Sequence, residues 1–573
     1  MARKYGRCAN YAECTLADSH KVIDSSEDNF VCPECGKPLR VAAQAVTEAG
    51  KKPVTMLKWF LPLLLLLLIG GGLAAWQVGA FSAGSGNGQA QTASTATVTT
   101  PPPAPAPVSV TPPPVAQPTE ESSPNIVLRL HGSNTIGAKL APALVEAFMQ
   151  DKGYTEIEKL PVADLEVLVK GKKPGATETD AIEIKAHGSS TAFDETDKNA
   201  HVGLLGGYAD VGMSSSPVKT AAINKFQAKN LGDPSSRAQE HVIALDGLAV
   251  IVNPANSVDK LTVDNIRKVF LGEITDWSAL GGQAGPIKLY SRDHQSGTYD
   301  TFKHLVLSGK KLECETQANL TCFEDSKELS SHVASDPNGI GFIGLNYIGT
   351  AKALKVSMAE KVNALAPTRF SVKTEDYPLS RRLFLYQTNQ PTPLAAGFIQ
   401  FALSDAGQKV VSDAGLVGVG IDDADSGQSV SEVDADKQRL LDDPAIPAAY
   451  RDLIRDADRK DTQLNFRFQS GSPDLDNRAY RDIGRLAEKL GKPEFDGAQL
   501  VLVGFADPQG DPAKNLALSK QRAMQVKDQL ESEGLKVKTA TGFGEELSLL
   551  LDPREEEPES LAKNRRVEVW LQR

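Results

Sequence analysis

Apolar and polar positions follow a regular pattern in two long regions of the chain, residues 125–422 and residues 461–573. In the first region, apolar runs such as "IVLRL" and "HVIALDGLAVIVNP" alternate with stretches of helical periodicity such as "AKLAPALVEAFMQDKG". In the second region, the runs "QLNFRF", "QLVLVGFAD" and "RRVEVWLQ" alternate with helical stretches in the same way. This pattern indicates α/β or α+β domains with ligand loops at the strand ends. The first region is large for one core, so we expect two lobes with a cleft.

Two segments lack the pattern and predict linkers. Residues 82–124 are rich in Gly, Ser and Thr and then in Pro. Such a segment cannot build a core, and its polyproline part forms a semi-extended spacer of about 3.1 Å per residue. Residues 423–460 are acidic and polar and predict a second linker between the two patterned regions.

One apolar run predicts a membrane anchor. Residues 59–81 carry no charge and are long enough to cross a bilayer core of about 30 Å, so we assign residues 56–81 to a single transmembrane helix. Three lysines precede the run and no Lys or Arg follows it before Arg129. The positive-inside rule then predicts an inner-membrane protein with a cytoplasmic N-terminus and periplasmic C-terminal domains. A cleaved signal peptide is the alternative, because "VGA" at 78–80 resembles a cleavage site.

Four cysteines before the apolar run have the spacing C-x5-C-x17-C-x2-C. They are Cys8, Cys14, Cys32 and Cys35. The tight "CPECG" turn presents two thiolates in the manner of a zinc knuckle, and four thiolates form a closed, structural zinc site without an open position for catalysis. Residues 1–50 therefore resemble a zinc ribbon with an unidentified cytoplasmic partner. A redox dithiol is the alternative reading of the same cysteines.

The remaining cysteines, Cys314 and Cys322, lie on the other side of the predicted membrane span. A close pair of thiols in an oxidising compartment can form a disulfide, and we predict one here. Two unlinked buried thiols are the alternative.

The net charge indicates which partners the protein can bind. At −11 for 573 residues, it argues against a protein whose main partner is duplex nucleic acid, so we expect no nucleic-acid partner. It does not exclude a local anion site, because a pocket needs only one or two cations and oriented N–H groups.

Four polar segments supply those groups at separate places in the chain. They are "HGSNTIG", "HGSSTAF", "GMSSSP" and "SRDHQSGTYDTF". Serine and threonine hydroxyls, helix N-termini and an arginine are the groups that hold a tetrahedral oxyanion. The candidate anion-binding residues are Ser133, Asn134, Thr135, Ser189, Ser190, Ser215, Arg292, Asp293, Ser296, Gly297 and Thr298.

In this order, the four segments resemble the PstS-type phosphate-binding proteins of the periplasmic binding protein superfamily. "SRD-x-x-SGT" is the most specific element. The resemblance implies a two-lobed fold over residues 125–422, charge-assisted bonds from Arg292 to phosphate, and donors from Ser296, Gly297 and Thr298. Thr135 matches the threonine of the first loop, and Ser189 or Ser190 matches the serine of the second.

One position departs from the family pattern. Ser215 stands where the best-studied branch carries an aspartate that accepts the proton of HPO₄²⁻. A carboxylate rejects unprotonated sulfate, whereas a serine tolerates either ion. Asp293 could replace that aspartate or orient Arg292 through an ion pair. The sequence leaves the choice between phosphate and sulfate open.

The last region carries a second motif, "GFADPQGDPAKNLALSKQRA" at 504–523. Residues 461–573 resemble the OmpA C-terminal-like peptidoglycan-binding family, with "GFGEE" and "NRRVEVWL" also matching. The resemblance implies that Asp507 pairs with the ammonium and Arg522 with the carboxylate of diaminopimelate in a peptidoglycan stem peptide. Asn515 and Arg565 would help to hold the loop or the ligand.

Together these features predict a non-catalytic, membrane-anchored and wall-bound binding protein for phosphate or a related oxyanion. The alternative is a structural or signalling scaffold in which the binding fold has lost or changed its ligand. A phosphatase or hydrolase is the third hypothesis, but the candidate hydroxyls have no evident His–Asp support.

Overall fold

The computed structural model describes the two patterned regions and four short N-terminal segments. The described residues are 3–7, 23–26, 31–33, 40–41, 124–194, 196–197, 200–294, 296–360, 362–421, 427–469, 474–508, 511–548 and 563–573.

Several predicted features fall on other residues. Cys8, Cys14, Cys35, the transmembrane helix at 56–81 and linker residues 82–123 lie outside the described residues. Among the residues that are described, Cys32 is buried. In the same part of the chain, no group of three or more His, Cys, Asp or Glu residues could hold a metal ion, and no helix is both long and apolar enough to cross a membrane.

The N-terminal segments form a small antiparallel sheet of three strands in the order β2-β1-β3. The strands are β1 (Arg3–Arg7), β2 (Ile23–Ser26) and β3 (Arg40–Val41).

The first patterned region begins with a strand-rich half. Its elements are β4 (Asn125–Gly132), a π-helical turn (Ile136–Leu140), α1 (Ala141–Asp151), β5 (Thr155–Ala163), β6 (Glu166–Lys172), β7 (Asp180–Lys185), a 3-10 turn (Ser189–Ala192), β8 (Thr196–Asp197), β9 (Ala200–His201), β10 (Val211–Ser214), α2 (Thr220–Ala228) and β11 (Glu240–Val252).

The region continues with alternating strands and helices. These are β12 (Lys260–Thr262), α3 (Val263–Phe270), β13 (Lys288–Arg292), α4 (Gly297–Leu305), β14 (Leu320–Phe323), α5 (Ser326–Ser335), β15 (Gly339–Gly344), β16 (Lys352–Ala353), β17 (Lys355–Ser357), α6 (Arg369–Lys373), β18 (Ser380–Tyr386), α7 (Pro393–Leu403), α8 (Asp405–Asp413) and β19 (Val417–Gly418).

Two hydrophobic cores divide these elements into two lobes. Lobe 1 has its core on β4, β7 and β10 with α1 and α7 packed against them, and lobe 2 has its core on the carboxyl half of β11, β13 and β15 with α3 and α4. The main sheet has the strand order β14-β13-β15-β11-β18-β10-β4-β7-β6-β5. The expected two-lobed α/β architecture is confirmed.

Strands β11 and β18 connect the lobes. They pair antiparallel from Glu240↔Tyr386 to Gly247↔Ser380. Val242 of β11 lies in the core of lobe 1 and Leu248 in the core of lobe 2. We refer to β11 and β18 as the crossing strands, because they run from one lobe into the other. A rotation of one lobe against the other must therefore bend or twist them.

The second patterned region is an α+β domain, hereafter the C-terminal domain. Its sheet has the order β20-β23-β21-β22. Its elements are α9 (Gly427–Asp442), α10 (Ala448–Ile454), β20 (Asn465–Arg467), α11 (Asn477–Leu490), β21 (Gln499–Gly504), α12 (Pro512–Ser532), β22 (Val537–Gly542) and β23 (Arg566–Gln572).

The segment predicted as an acidic linker, 423–460, contains two of these helices. Tyr450 and Ile454 of α10 are buried in one core with Phe505 and Trp570 of the C-terminal domain. The Tyr450 hydroxyl also donates to Glu568 Oε2 at 2.6 Å. The sequence pattern does not reveal that these helices pack on the domain, because they bury only a few apolar residues and their other positions are mostly acidic or polar.

Candidate functional site

Three strands of lobe 1 end side by side, and predicted serines follow each of them. β4 pairs in parallel with both β10 and β7, so their carboxyl ends reach the same edge of the sheet. The Ser133 N–H donates to Met213 O at 2.8 Å. The Ser215 N–H donates to Ser189 Oγ at 3.0 Å, and the two hydroxyls lie 3.1 Å apart. The structure therefore brings the first three polar segments together.

Two polar atoms of the first segment are buried without a partner. Ser133 Oγ and Asn134 Oδ1 make no hydrogen bond to any residue that the structure describes, and Ser133 is fully buried. The large majority of buried side-chain polar atoms in folded proteins have a hydrogen-bond partner, so each exception needs an explanation. A bound polar ligand at the ends of β4, β7 and β10 would satisfy both atoms.

The fourth segment begins helix α4 in lobe 2 and contacts the first segment. Ser296 is the N-cap of α4, and its Oγ accepts from the Thr298 N–H at 3.2 Å. Thr135 Oγ1 donates to Gly297 O at 3.3 Å. A Cβ atom at Gly297 would lie 2.7 Å from Thr135 Cα. The close contact between the lobes at this point therefore requires glycine.

Three predicted residues are directed elsewhere. Ser190 is exposed. Arg292, at the end of β13, donates to the carbonyl oxygens of Phe323 at 3.2 Å and Glu324 at 2.6 Å. Asp293 Oδ2 lies 3.7 Å from Arg292 Nη2. These contacts hold the guanidinium against the loop after β14, and the role of Arg292 and Asp293 in anion binding stays a prediction.

Arg381 is a cleft residue that the sequence reasoning missed. Its side chain is 7% exposed, and its Nη2 donates to Thr135 Oγ1 at 2.6 Å and also bonds Thr301 Oγ1. Its Nε lies 3.5 Å from Asp246 Oδ2, and its Nη2 lies 3.6 Å from Asp300 Oδ2. Arg381 therefore places a positive charge beside the threonine of the first segment.

The signal for this residue was present in the sequence. "SRRLFLY" puts two successive arginines into an otherwise apolar strand, and charged residues are almost never buried unless they are paired. Two carboxylates, Asp246 and Asp300, neutralise Arg381 in the described contacts.

The predicted wall-binding residues of the C-terminal domain also come together. Asp507 lies after β21, and Arg565 lies just before β23, the strand that neighbours β21 in the sheet. Arg565 Nη1 lies 3.4 Å from Asp507 Oδ2. Asn515, in the first turn of α12, donates through Nδ2 to Asp507 O at 3.1 Å and to Glu545 Oε2 at 2.8 Å. The amide thus orders the loop that carries the aspartate.

Arg522 is the buried cation of this cluster. It is 3% exposed, and its Nε and Nη1 have no hydrogen-bond partner within the described part of the chain. Its guanidinium lies over the Phe468 ring, 5.1 Å from the centroid. Burial and the nearby Arg565 lower the pKa of Arg522 to about 10, so it remains charged at neutral pH. A buried, charged donor without a partner is suited to an anionic ligand group.

The second cysteine pair forms a disulfide. Cys314 and Cys322 are bonded, with their Cα atoms 5.9 Å apart. The bond joins the loop after α4 to β14. His294 Nε2 lies 3.8 Å from Cys314 Sγ and 2.8 Å from Leu312 O.

Comparison with protein families gives two matches. Residues 120–406 match a family described as "PBP superfamily domain". Residues 467–561 match the OmpA family.

Individual relatives are similar to this chain over part of its length. The chain is 29% identical over 188 residues to the phosphate-binding protein PstS of Borreliella burgdorferi, which covers 32% of this chain and 66% of that protein. It is 30% identical over 269 residues to protein SphX of Synechococcus elongatus, covering 41% and 77%. The crystal structure of a possible phosphate-binding protein from Planctomyces limnophilus aligns with a TM-score of 0.41 and 24% identity, covering 56% of this chain and 99% of that one.

Proposed function

The chain belongs to the PBP superfamily through residues 120–406, and from this we propose that it is a periplasmic binding protein for phosphate or a related tetrahedral oxyanion. The C-terminal domain, which matches the OmpA family, attaches it to peptidoglycan. Relatives named as phosphate-binding proteins support the ligand class.

One observation carries the proposal. The buried Ser133 Oγ and Asn134 Oδ1 lack partners among the described residues, at the point where hydroxyls from three adjacent loops converge. An oxyanion provides several acceptor positions in a small volume, and a protonated one also provides a donor for an orphaned acceptor. A site of this composition suits HPO₄²⁻ better than it suits an apolar ligand.

Calorimetry on the full chain in detergent tests the proposal. We expect heat of binding with phosphate and arsenate, and about tenfold weaker binding in Ser133→Ala, because a hydrogen bond to a charged ligand is worth about 1.5 kcal/mol or more. Ser331→Ala is the matched control, since its exposed Oγ donates to Lys327 O within α5. Absence of heat with phosphate, arsenate and sulfate would reject oxyanion binding.

The wall ligand that we propose is a stem peptide with diaminopimelate, whose free end carries an ammonium and a carboxylate. Asp507 would receive the ammonium, and Arg522 would donate to the carboxylate. The unpartnered N–H groups of Arg522 among the described residues support this assignment.

We further propose that residues 56–81 anchor the protein in the inner membrane and that residues 1–50 bind a structural zinc ion through Cys8, Cys14, Cys32 and Cys35. A chain tied to the membrane and to the wall is poorly suited to shuttling a ligand. Local capture or sensing of the anion, with an unidentified cytoplasmic partner at the ribbon, fits that arrangement better.

A scaffold with a changed ligand is the second candidate function. The observation that favours it is the position of Arg292, whose guanidinium is bound to the Phe323–Glu324 backbone. The same calorimetry separates the two candidates. In either case we propose no catalysis, because Ser189 and Ser215 bond each other, while His294 contacts Leu312 O on another loop.

A further inference from the structure

The C-terminal domain contacts lobe 1 through its helix α11. Asn477 Nδ2 donates to Ser235 O at 2.8 Å and to Glu240 Oε1 at 2.9 Å. Arg481 Nη2 lies 2.5 Å from His241 Nδ1. Burial and the charge of Arg481 hold the pKa of His241 well below its usual value, so the imidazole is neutral and accepts this hydrogen bond.

The same domain contacts lobe 2 through β20 and the segment just before β23. Asn465 Nδ2 donates to Thr374 O at 3.1 Å and to Asp376 Oδ1 at 2.8 Å. Lys563 Nζ donates to Tyr377 O at 2.7 Å and to Ser380 O at 3.1 Å. Tyr377 belongs to the core of lobe 2. One domain is therefore hydrogen-bonded to both lobes.

Buried charges strengthen this interface. Glu375 accepts from Arg382 Nε at 2.8 Å and also bonds Arg478 of α11. Arg382 Nη1 lies 2.7 Å from Asp476 of the C-terminal domain. Each charge has opposite charges beside it, and removing one partner from such a group strongly destabilises it.

Two adjacent arginines connect the interface to the cleft. Successive side chains of a strand point to opposite faces. On crossing strand β18, Arg381 faces the cleft and donates to Thr135 Oγ1, whereas Arg382 faces Asp476. A cavity of about 1340 Å³ is lined by Ser215 and Arg381 together with Arg565 of the C-terminal domain.

These contacts give the domain an influence on the cleft. A ligand that binds between two lobes contacts both only when they are close together, as Thr135 and Gly297 are here. Any group that holds both lobes in that arrangement removes part of the cost of closure. We infer that docking of the C-terminal domain across the crossing strands raises the affinity of the cleft for its anion. This inference rests on the proposed anion-binding function, and linkage requires that the anion strengthens the docking equally.

The decisive variant is Glu375→Gln combined with Asp476→Asn. It removes two interface charges while preserving side-chain volume, and asparagine still serves as the N-cap of α11. The matched control is Asp413→Asn with Asp452→Asn, which makes the same charge change in two exposed ion pairs, with Lys409 and Arg455.

Calorimetry with inorganic phosphate on the full chain gives the readout. We expect the dissociation constant of the double variant to rise at least about fivefold while the control matches wild type. Equal constants for the variant and wild type would overturn the inference and leave the proposed function standing. If wild type itself gives no heat with phosphate, arsenate or sulfate, the proposed function fails and the inference fails with it.

A neutral variant covers the case in which the double variant does not fold, as judged by circular dichroism. Asn477→Ala removes the two hydrogen bonds to lobe 1 without leaving a new charge. We expect its dissociation constant for phosphate to rise about threefold, a loss of the order of one hydrogen bond. Asn389→Ala, whose amide bonds Asn230 O within lobe 1, is its control. A constant equal to that of wild type in Asn477→Ala would again overturn the inference.

Discussion

At the scale of single residues, the cleft combines serine hydroxyls with the ion pair between Arg381 and Asp246. Its third loop, "GMSSSP", carries the hydroxyl of Ser215 and no carboxylate. Ser215 is buried and lies 3.1 Å from Ser189 Oγ. A hydroxyl can donate or accept, so this position does not distinguish a protonated anion from an unprotonated one. The selectivity of the cleft is therefore open to change at one side chain.

Ser215→Asp should weaken the binding of sulfate more than the binding of phosphate. The new carboxylate would accept the proton of HPO₄²⁻ but would face an unprotonated oxygen of sulfate, a mismatch that a site built around one hydrogen bond rejects strongly. We expect the ratio of sulfate to phosphate dissociation constants to rise at least about tenfold, measured by calorimetry. Ser215→Asn is the uncharged control. An equal loss for both anions would contradict this role.

Arg522 allows a different test, which separates a role in binding from a role in stability. Two buried guanidinium N–H groups without hydrogen-bond partners among the described residues lower stability, so Arg522→Met should raise the free energy of unfolding by about 1 kcal/mol while abolishing pelleting with purified sacculi. The control is Arg566→Met. Arg566 is bonded to Glu568 at 2.9 Å, and its loss should cost about 3 kcal/mol. A destabilised Arg522→Met protein would show that Arg522 is structural.

At the scale of elements, crossing strand β18 and the segment before it hold the C-terminal domain through charges. Burial disfavours the ionised form of Glu375, but the charges of Arg382 and Arg478 outweigh this effect and hold its pKa well below the usual value. Folding therefore stabilises the carboxylate form of Glu375.

The contribution of this interface to the stability of the protein should decrease as the pH falls. A carboxyl group with a depressed pKa stabilises the fold fully above its ordinary pKa of about 4.3, and this contribution is lost as the pH falls below that value. At pH 7, Glu375→Gln should lower the free energy of unfolding by about 3 kcal/mol. The difference in the free energy of unfolding between Glu375→Gln and wild type should decrease as the pH falls from 5 to 3. Urea unfolding of both proteins over that range measures it, and parallel pH curves would contradict the prediction.

At the scale of the whole molecule, the chain places the two-lobed region and the C-terminal domain in direct contact. The C-terminal domain is hydrogen-bonded to both lobes, so it is not held away from them by a flexible linker. Helices α9 and α10 of the C-terminal domain occupy the segment that the sequence predicted as a linker. Under the proposed function, binding at the wall and binding in the cleft would therefore act on one connected body.

Protease treatment of spheroplasts tests the proposed topology. If residues 56–81 anchor the chain with its N-terminus in the cytoplasm, external protease should degrade residues 125–573 and leave an N-terminal epitope tag protected. Cells broken before protease treatment are the control, in which the tag should be lost. A mature protein without the tag would favour the cleaved signal peptide instead.

The sequence by itself determined the order of the two-lobed region and the C-terminal domain, and most of the hydroxyl groups in the cleft. The local pattern sufficed because apolar periodicity follows from which face of an element is buried, and because Ser133 follows a predicted strand while Ser189 and Ser215 lie in polar, hydroxyl-rich segments. Helices α9 and α10 were missed because few of their positions are apolar.

Only the tertiary structure decided which charges meet. Arg292 belongs to the predicted motif, yet the structure bonds it to the Phe323–Glu324 backbone. Arg381 lies far away in the sequence, but the crossing strands bring it to Thr135. Ion pairs form between residues that are remote in the chain, and burial sets their strength. No local pattern encodes that distance, so the partners of Arg381, Arg382 and Glu375 appear only once the lobes and the C-terminal domain have packed together.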